Sequence, residues 1–169
     1  MLKPRHVHTA IFLVCAGLIG FALYLQHAQG LEPCPLCIFQ RYAFIAVGAV
    51  ALVAAMHDPI GWGRRVYAAL LLISAGLGGA VAARHVYLEH NPPQLYDCGA
   101  DLGYVIESFP LAEALPMIFR GTGDCTKVPW RFLGLSIAEW ALIWFAIFIV
   151  ATFAAAMIRR RRTWTLTGR

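Results

Sequence analysis

Four long stretches without an Asp, Glu, Lys or Arg constrain this chain most: Thr9 to Gly30, Tyr42 to His57, Val66 to Ala83 and Ala141 to Ile158. Extended by a flanking residue or two, each reaches the roughly 17 to 25 residues that a tilted helix needs to cross the hydrocarbon of a bilayer. Only a closed hydrogen-bonding scheme survives there, and for single apolar stretches that scheme is the α-helix. Composition agrees: 60% of the 169 residues are hydrophobic and only 14% are charged, with a mean hydropathy of +0.65, too apolar for an ordinary soluble domain of this length. The expectation is a single all-α membrane domain over residues 1–169. It is a four-transmembrane-helix bundle with spans at about 9–28, 40–57, 66–84 and 139–158, and loops at 29–39 and 85–138. The first run is too long for the apolar core of a signal peptide, and no clear small-x-small cleavage site precedes Glu32, so it reads as a true span.

The net charge of +5 is distributed in a way that argues for topology and against nucleic acid. Lys3 and Arg5 precede the first span, Arg64 and Arg65 separate the second from the third, and Arg159 to Arg162 follow the fourth. The positive-inside rule then puts both termini and the Asp58 to Arg65 loop in the cytoplasm. The arginine cluster reads as an anchor to anionic lipid. The short first loop and the long second loop face outward.

Against that topology the cysteines separate cleanly. Cys15 lies inside a span and reads as a small packing residue. Cys34 and Cys37 lie in the first outer loop, and Cys98 and Cys125 in the second, all on the side where disulfides persist. The spacing C-x-x-C suits a zinc half-site, a haem attachment or a redox dithiol. Ile38, not histidine, follows the second cysteine, which argues against haem. Cys98 and Cys125 do not form a second C-x-x-C, which weighs against a structural zinc site, although His27, His85 and His90 could supply nitrogen ligands. No metal is expected.

A redox dithiol has a physical basis here, because the start of the second span offers unpaired N–H groups and the positive end of a helix dipole to a thiolate. Arg41 follows Cys37 by four residues and falls one turn on along the same face, as a thiolate partner or as a side chain reaching the headgroups. A Cys98–Cys125 bond would stabilise the second loop by roughly 3 to 4 kcal/mol in the chain-entropy picture. It could be structural, or it could exchange with the nearby dithiol. Phe109 to Phe119 (FPLAEALPMIF) is apolar but bounded by Pro110 and Pro116, and reads as a short interfacial helix. Gly76, Gly78 and Gly79 mark close helix packing in the third span. Trp130 belongs either to an interfacial belt or to a site.

Four spans, Cys34-x-x-Cys37-x-x-x-Arg41, a long second loop with Cys98 and Cys125, and the stretch GDCTKVPWRFLGLSIAEW at Gly123 to Trp140 together resemble the DsbB family, bacterial inner-membrane disulfide bond formation proteins. The resemblance covers essentially the whole chain. It implies a multi-pass protein of the bacterial inner membrane with periplasmic redox loops. It implies an enzyme, a protein-thiol:quinone oxidoreductase that reoxidises a DsbA-like periplasmic dithiol protein and passes the electrons to a membrane quinone, ubiquinone or menaquinone. Carried over, Cys98 is attacked by the reduced partner, Cys125 leaves and attacks Cys34, and Cys37 is released toward the quinone. Arg41 matches the family arginine beside the quinone. His90, in EHNPPQLY, corresponds to a quinone-side histidine in some relatives, with His85 competing for that place. The alternatives are a related oxidase serving another thiol partner and a thiol-based metal-binding membrane protein.

Overall fold

The computed structural model describes residues 4–31, 33–92 and 130–166, with side chains as far as residue 156. It contains four long helices: α1 at Pro4–Ala28, α2 at Pro35–His57, α3 at Trp62–His90 and α4 at Ile137–Leu166. Each is long and apolar enough to cross a membrane, α4 over Ile137–Ala156, and the architecture is the expected four-helix membrane bundle. The Phe109 to Phe119 segment lies outside the described residues, as do Cys98 and Cys125. The helices outrun the expected spans. Helix α2 already begins at Pro35 and α3 continues to His90, so Cys37, Arg41, His85 and Glu89 are all carried on helix and held by its geometry.

Local chemistry sets the helix ends. At the end of α1 the N–H groups of Gln29 and Leu31 both donate to the Leu25 carbonyl, at 3.2 and 3.3 Å. Gly30 turns the chain there with φ of 65°, a left-handed conformation that glycine adopts without penalty. Cys34 then caps α2: its backbone is extended and its sulfur accepts the Cys37 N–H at 3.3 Å. Pro35 takes the first helical position, where a missing N–H costs nothing. Asp58 closes α2 in a left-handed conformation, with its N–H donated to Ala54 O at 3.1 Å.

Before α4, Arg131–Phe132 and Leu135–Ser136 form a two-stranded antiparallel hairpin in which Phe132 faces Leu135. Leu133 and Gly134 both have positive φ, 54° and 83°, as a two-residue turn that matches strand twist requires. Ser136 ends the hairpin and starts α4 by a reciprocal cap. Its hydroxyl accepts the Glu139 N–H at 3.2 Å, while the Glu139 carboxylate accepts the Ser136 N–H at 2.7 Å.

Consecutive helices pack as antiparallel neighbours, α1 on α2, α2 on α3 and α3 on α4, while α1 touches α4 only lightly. The core draws on all four helices, from Ile11 and Cys15 of α1 to Phe145 and Phe148 of α4, and at its centre the Phe44 and Phe145 rings stack at 4.2 Å. Gly78 makes that approach possible, because a Cβ on it would lie 2.4 Å from Phe145 Cζ. Of the three glycines singled out in the sequence, this is the one at which a side chain cannot fit. Cys15 is 2% exposed and lies against Gly48, the packing role expected of it. Large apolar residues such as Leu13, Met56, Leu77 and Val150 face outward, as lipid-facing positions do.

Candidate functional site

The light contact between α1 and α4 leaves space at one end of the bundle. A cavity of about 630 Å³ lies there, bounded by α1, α2, the ends of α3 and α4, and the hairpin. Its walls are mostly aliphatic and aromatic, with Leu18, Phe21, Leu25, Phe44, Trp140 and Trp144 among them. Trp130 lines it too. It is held by an edge-on contact with Phe21 at 5.6 Å and a stacked contact with Phe132 at 5.9 Å. The Trp140 indole N–H donates to Phe132 O at 3.1 Å and ties the hairpin to α4.

Cys34, Cys37, Gln40, Arg41, His85 and Glu89 bring polar chemistry to this apolar space. The Cys34 and Cys37 sulfurs are 3.0 Å apart. Removing two electrons and two protons could join them with little backbone movement, because the pair is already held on the first turn of one helix. Cys34 is 9% exposed, and its cap position supplies an N–H to whichever sulfur species stands there.

Arg41 falls one turn beyond Cys37, as its spacing predicted. It reaches across to α1, donating to Gln26 Oε1 and, at 3.2 Å, to Ala22 O. The side chain therefore ties α1 to α2 at the cavity wall.

Histidine geometry separates the two candidates. His85 is 4% exposed and lines the cavity. Its Nε2 is 3.7 Å from Cys34 Sγ and its Nδ1 is 3.1 Å from the Gln40 amide nitrogen. His90 is not among the lining residues: its side chain is 63% exposed, 3.8 Å from Glu139, and its Nδ1 approaches Val86 O at 2.9 Å. One turn of helix after His85, Glu89 turns the same way, with Oε1 3.7 Å from His85 Nε2 and Oε2 accepting the Ser136 hydroxyl at 2.7 Å.

Gln40, Glu89, Ser136 and Glu139 were not anticipated as site residues. One signal was present, since Ser136-x-x-Glu139 ahead of an apolar run is the mark of a reciprocal helix cap. His85 and Glu89 were also legible as an i, i+4 pair. That Gln40 and Ser136 would close on that pair from other elements was not.

Comparison with known proteins gives this chain relatives over nearly its whole length. The family model described as "Disulfide bond formation protein DsbB" matches residues 4–155. The chain is 56% identical over 160 residues to disulfide bond formation protein B of Aromatoleum aromaticum, covering 95% of each chain. It is 53% identical over 165 residues to the protein of that name from Azoarcus sp., covering 98% of this chain and 93% of that one. With its counterpart in Hahella chejuensis it shares 46% identity over 162 residues, 95% of this chain and 98% of that one.

Proposed function

The chain belongs to the DsbB family of disulfide bond formation proteins, and from that premise we propose that it is a quinone-dependent oxidase of a DsbA-like periplasmic dithiol protein. Membership makes it a membrane-embedded thiol oxidoreductase. The finer reading rests on one observation: the Cys34–Cys37 pair opens onto an apolar cavity of about 630 Å³ within the spanning bundle. That volume is in the range of small-molecule sites, about 300 to 1,000 Å³. Aromatic and aliphatic walls with few polar groups suit a flat, lipid-soluble ring bearing two carbonyl oxygens. The residues present fit a quinone.

When bound, a quinone supplies the two-electron sink that a strongly oxidising thiol partner requires. The chain's own residues do the rest. Cys98 receives the attack of the partner's thiolate, and the Cys98–Cys125 bond breaks with Cys125 as leaving thiolate. Cys125 then attacks Cys34, breaking the Cys34–Cys37 bond and releasing Cys37 as a thiolate at the cavity. The partner's second thiolate attacks its mixed disulfide with Cys98 and the partner leaves oxidised; the freed Cys98 thiolate attacks Cys125, which restores the Cys98–Cys125 bond and releases Cys34. Cys34 and Cys37, now both reduced, can close their bond again only by giving up two electrons and two protons to a quinone held in the cavity. Arg41 and the N-terminus of α2 stabilise the Cys37 thiolate and charge developing at the cavity's polar end. The apolar walls exclude water, which strengthens both interactions.

The basic residues outside the spans support an orientation with both termini in the cytoplasm and the cysteine loops in the periplasm of a bacterial inner membrane. The test combines the purified protein in detergent, a reduced DsbA-like protein and either ubiquinone or menaquinone, followed by loss of quinone absorbance. Turnover is expected with the native chain, and Cys34→Ser or Cys37→Ser should abolish it. Quinone loss that persists in either variant, or partner oxidation that proceeds without quinone, overturns the proposal.

A further inference from the structure

We propose that the reduced Cys34 and Cys37 form, with His85 and Glu89, a four-ligand site for Zn²⁺ whose occupation holds the dithiol reduced and arrests the enzyme. The sulfur and nitrogen atoms of Cys34, Cys37 and His85 all lie within 4.8 Å of one another. Bond lengths of about 2.3 Å to sulfur and 2.0 to 2.1 Å to nitrogen put the ligand atoms of a tetrahedral zinc site about 3.8 Å apart for two sulfurs and about 3.5 Å for sulfur and nitrogen. The Cys34 Sγ–His85 Nε2 separation is 3.7 Å. The two sulfurs, at 3.0 Å, need to part by less than an ångström, within reach of a cysteine rotamer adjustment on the first turn of a helix. Glu89 Oε1 lies 3.7 Å from the same imidazole nitrogen but outside the group whose ligand atoms all lie within 4.8 Å of one another, so its carboxylate has to swing toward the sulfurs to take the fourth position.

The outer partners are also in place. A metal-bound histidine is normally fixed through its other ring nitrogen, and a ligating carboxylate through its second oxygen. Gln40 stands 3.1 Å from His85 Nδ1, and the Ser136 hydroxyl donates to Glu89 Oε2 at 2.7 Å. Both partners are buried, Gln40 at 3% and Ser136 at 2% exposure. Two thiolates and an imidazole select zinc over the hard cations magnesium and calcium. The ligands come from α2 and α3, two helices packed along their length, so the cation joins elements that are already neighbours.

Binding moves no electrons. Each thiol loses a proton to solvent, two thiolate–zinc bonds form, and the S–S bond cannot close while they persist. Oxidation of the pair removes two of the four ligands, so the site exists only in the reduced protein. The cation thus competes with disulfide formation at Cys34 and Cys37, and its binding can be read without any quinone or thiol partner.

The full-length chain carrying Cys98→Ser and Cys125→Ser is purified in detergent, reduced with a phosphine and titrated with Co²⁺ as a spectroscopic probe, then with Zn²⁺ as competitor. Expected are one Co²⁺ per chain with the intense visible bands of a tetrahedral site and thiolate charge-transfer bands, displacement by Zn²⁺, and no uptake after oxidation. His85→Gln and Glu89→Gln should each weaken binding substantially. Gln40→Leu should weaken it by roughly tenfold to a hundredfold, as loss of an outer partner does. X-ray absorption of the unmutated zinc-loaded site should show two sulfur and two nitrogen or oxygen ligands, a readout that does not depend on how any His85 or Glu89 variant folds. An octahedral cobalt spectrum, a shell without sulfur, or equal affinity in a folded His85→Gln variant overturns the site. Quinone turnover that fails while cobalt binds as described would instead overturn only the functional reading given above.

Discussion

Replacing Gly78 by alanine should destabilise the bundle, although helix propensity by itself favours alanine. The added Cβ would lie 2.4 Å from Phe145 Cζ, 2.5 Å from Phe145 Cε1 and 2.8 Å from Ala43 Cβ. Phe145 is fully buried and stacked on Phe44 at 4.2 Å, so its ring cannot swing away without displacing a second ring. Overpacking of this kind costs about 1 to 3 kcal/mol, against a propensity gain of about 1 kcal/mol for removing a mid-helix glycine. The net expectation is a loss of about 1 kcal/mol at the middle of that range and about 2 kcal/mol at its upper end, a factor of about 5 to 30 in the folded ratio. Because Phe44 also lines the cavity, activity should fall with stability. Reversible denaturation in mixed micelles, read by helicity, measures the change. Phe145→Leu in the alanine background should recover part of the loss, a coupling of at least about 1 kcal/mol in a double-mutant cycle. A Gly78→Ala variant as stable as the parent or more so, with no coupling to Phe145, would refute the packing argument.

Two further outcomes follow from the site. Arg41→Met should raise the apparent KM for quinone more than it lowers kcat. Gln26→Leu, which removes the α1 acceptor but keeps the guanidinium, should reproduce only a small part of that change; equal effects in steady-state quinone kinetics would make Arg41 a helix tie and nothing more. Ser136→Ala removes both the α4 cap and the hydrogen bond to Glu89, so it should lower stability by about 0.5 to 2 kcal/mol. Ser136→Thr keeps the hydroxyl and should restore most of that stability in the same denaturation assay.

How far the sequence could be read depended on the range of the interactions involved. Charge-free runs have to become spanning helices because lipid offers no partner for backbone groups, and that requirement acts on each segment alone. The four helices were therefore predictable, and so were the dithiol at the start of α2 and Arg41 one turn beyond it, since helical periodicity fixes what lies four residues away. Even Ser136 and Glu139 announced a helix start by spacing. Glycines in α3 were visible as a class, but which one meets a ring depended on Phe145 of another helix.

Contacts between distant segments were decided by packing. Both His85 and His90 lie near the end of α3, yet helical rotation turns His85 toward Cys34 and leaves His90 exposed. That rotation is set by how α3 seats against α2 and α4, which local sequence does not encode. Gln40 reads as an ordinary polar residue beside an arginine until α3 brings His85 against it. The cavity follows the same logic, because it exists where α1 and α4 part and Trp130 with the hairpin that follows it covers the gap. From the sequence alone come the helices, the dithiol and their place in a membrane; from the tertiary structure come the residues that surround the dithiol, because only packing sets which faces of four similar helices meet.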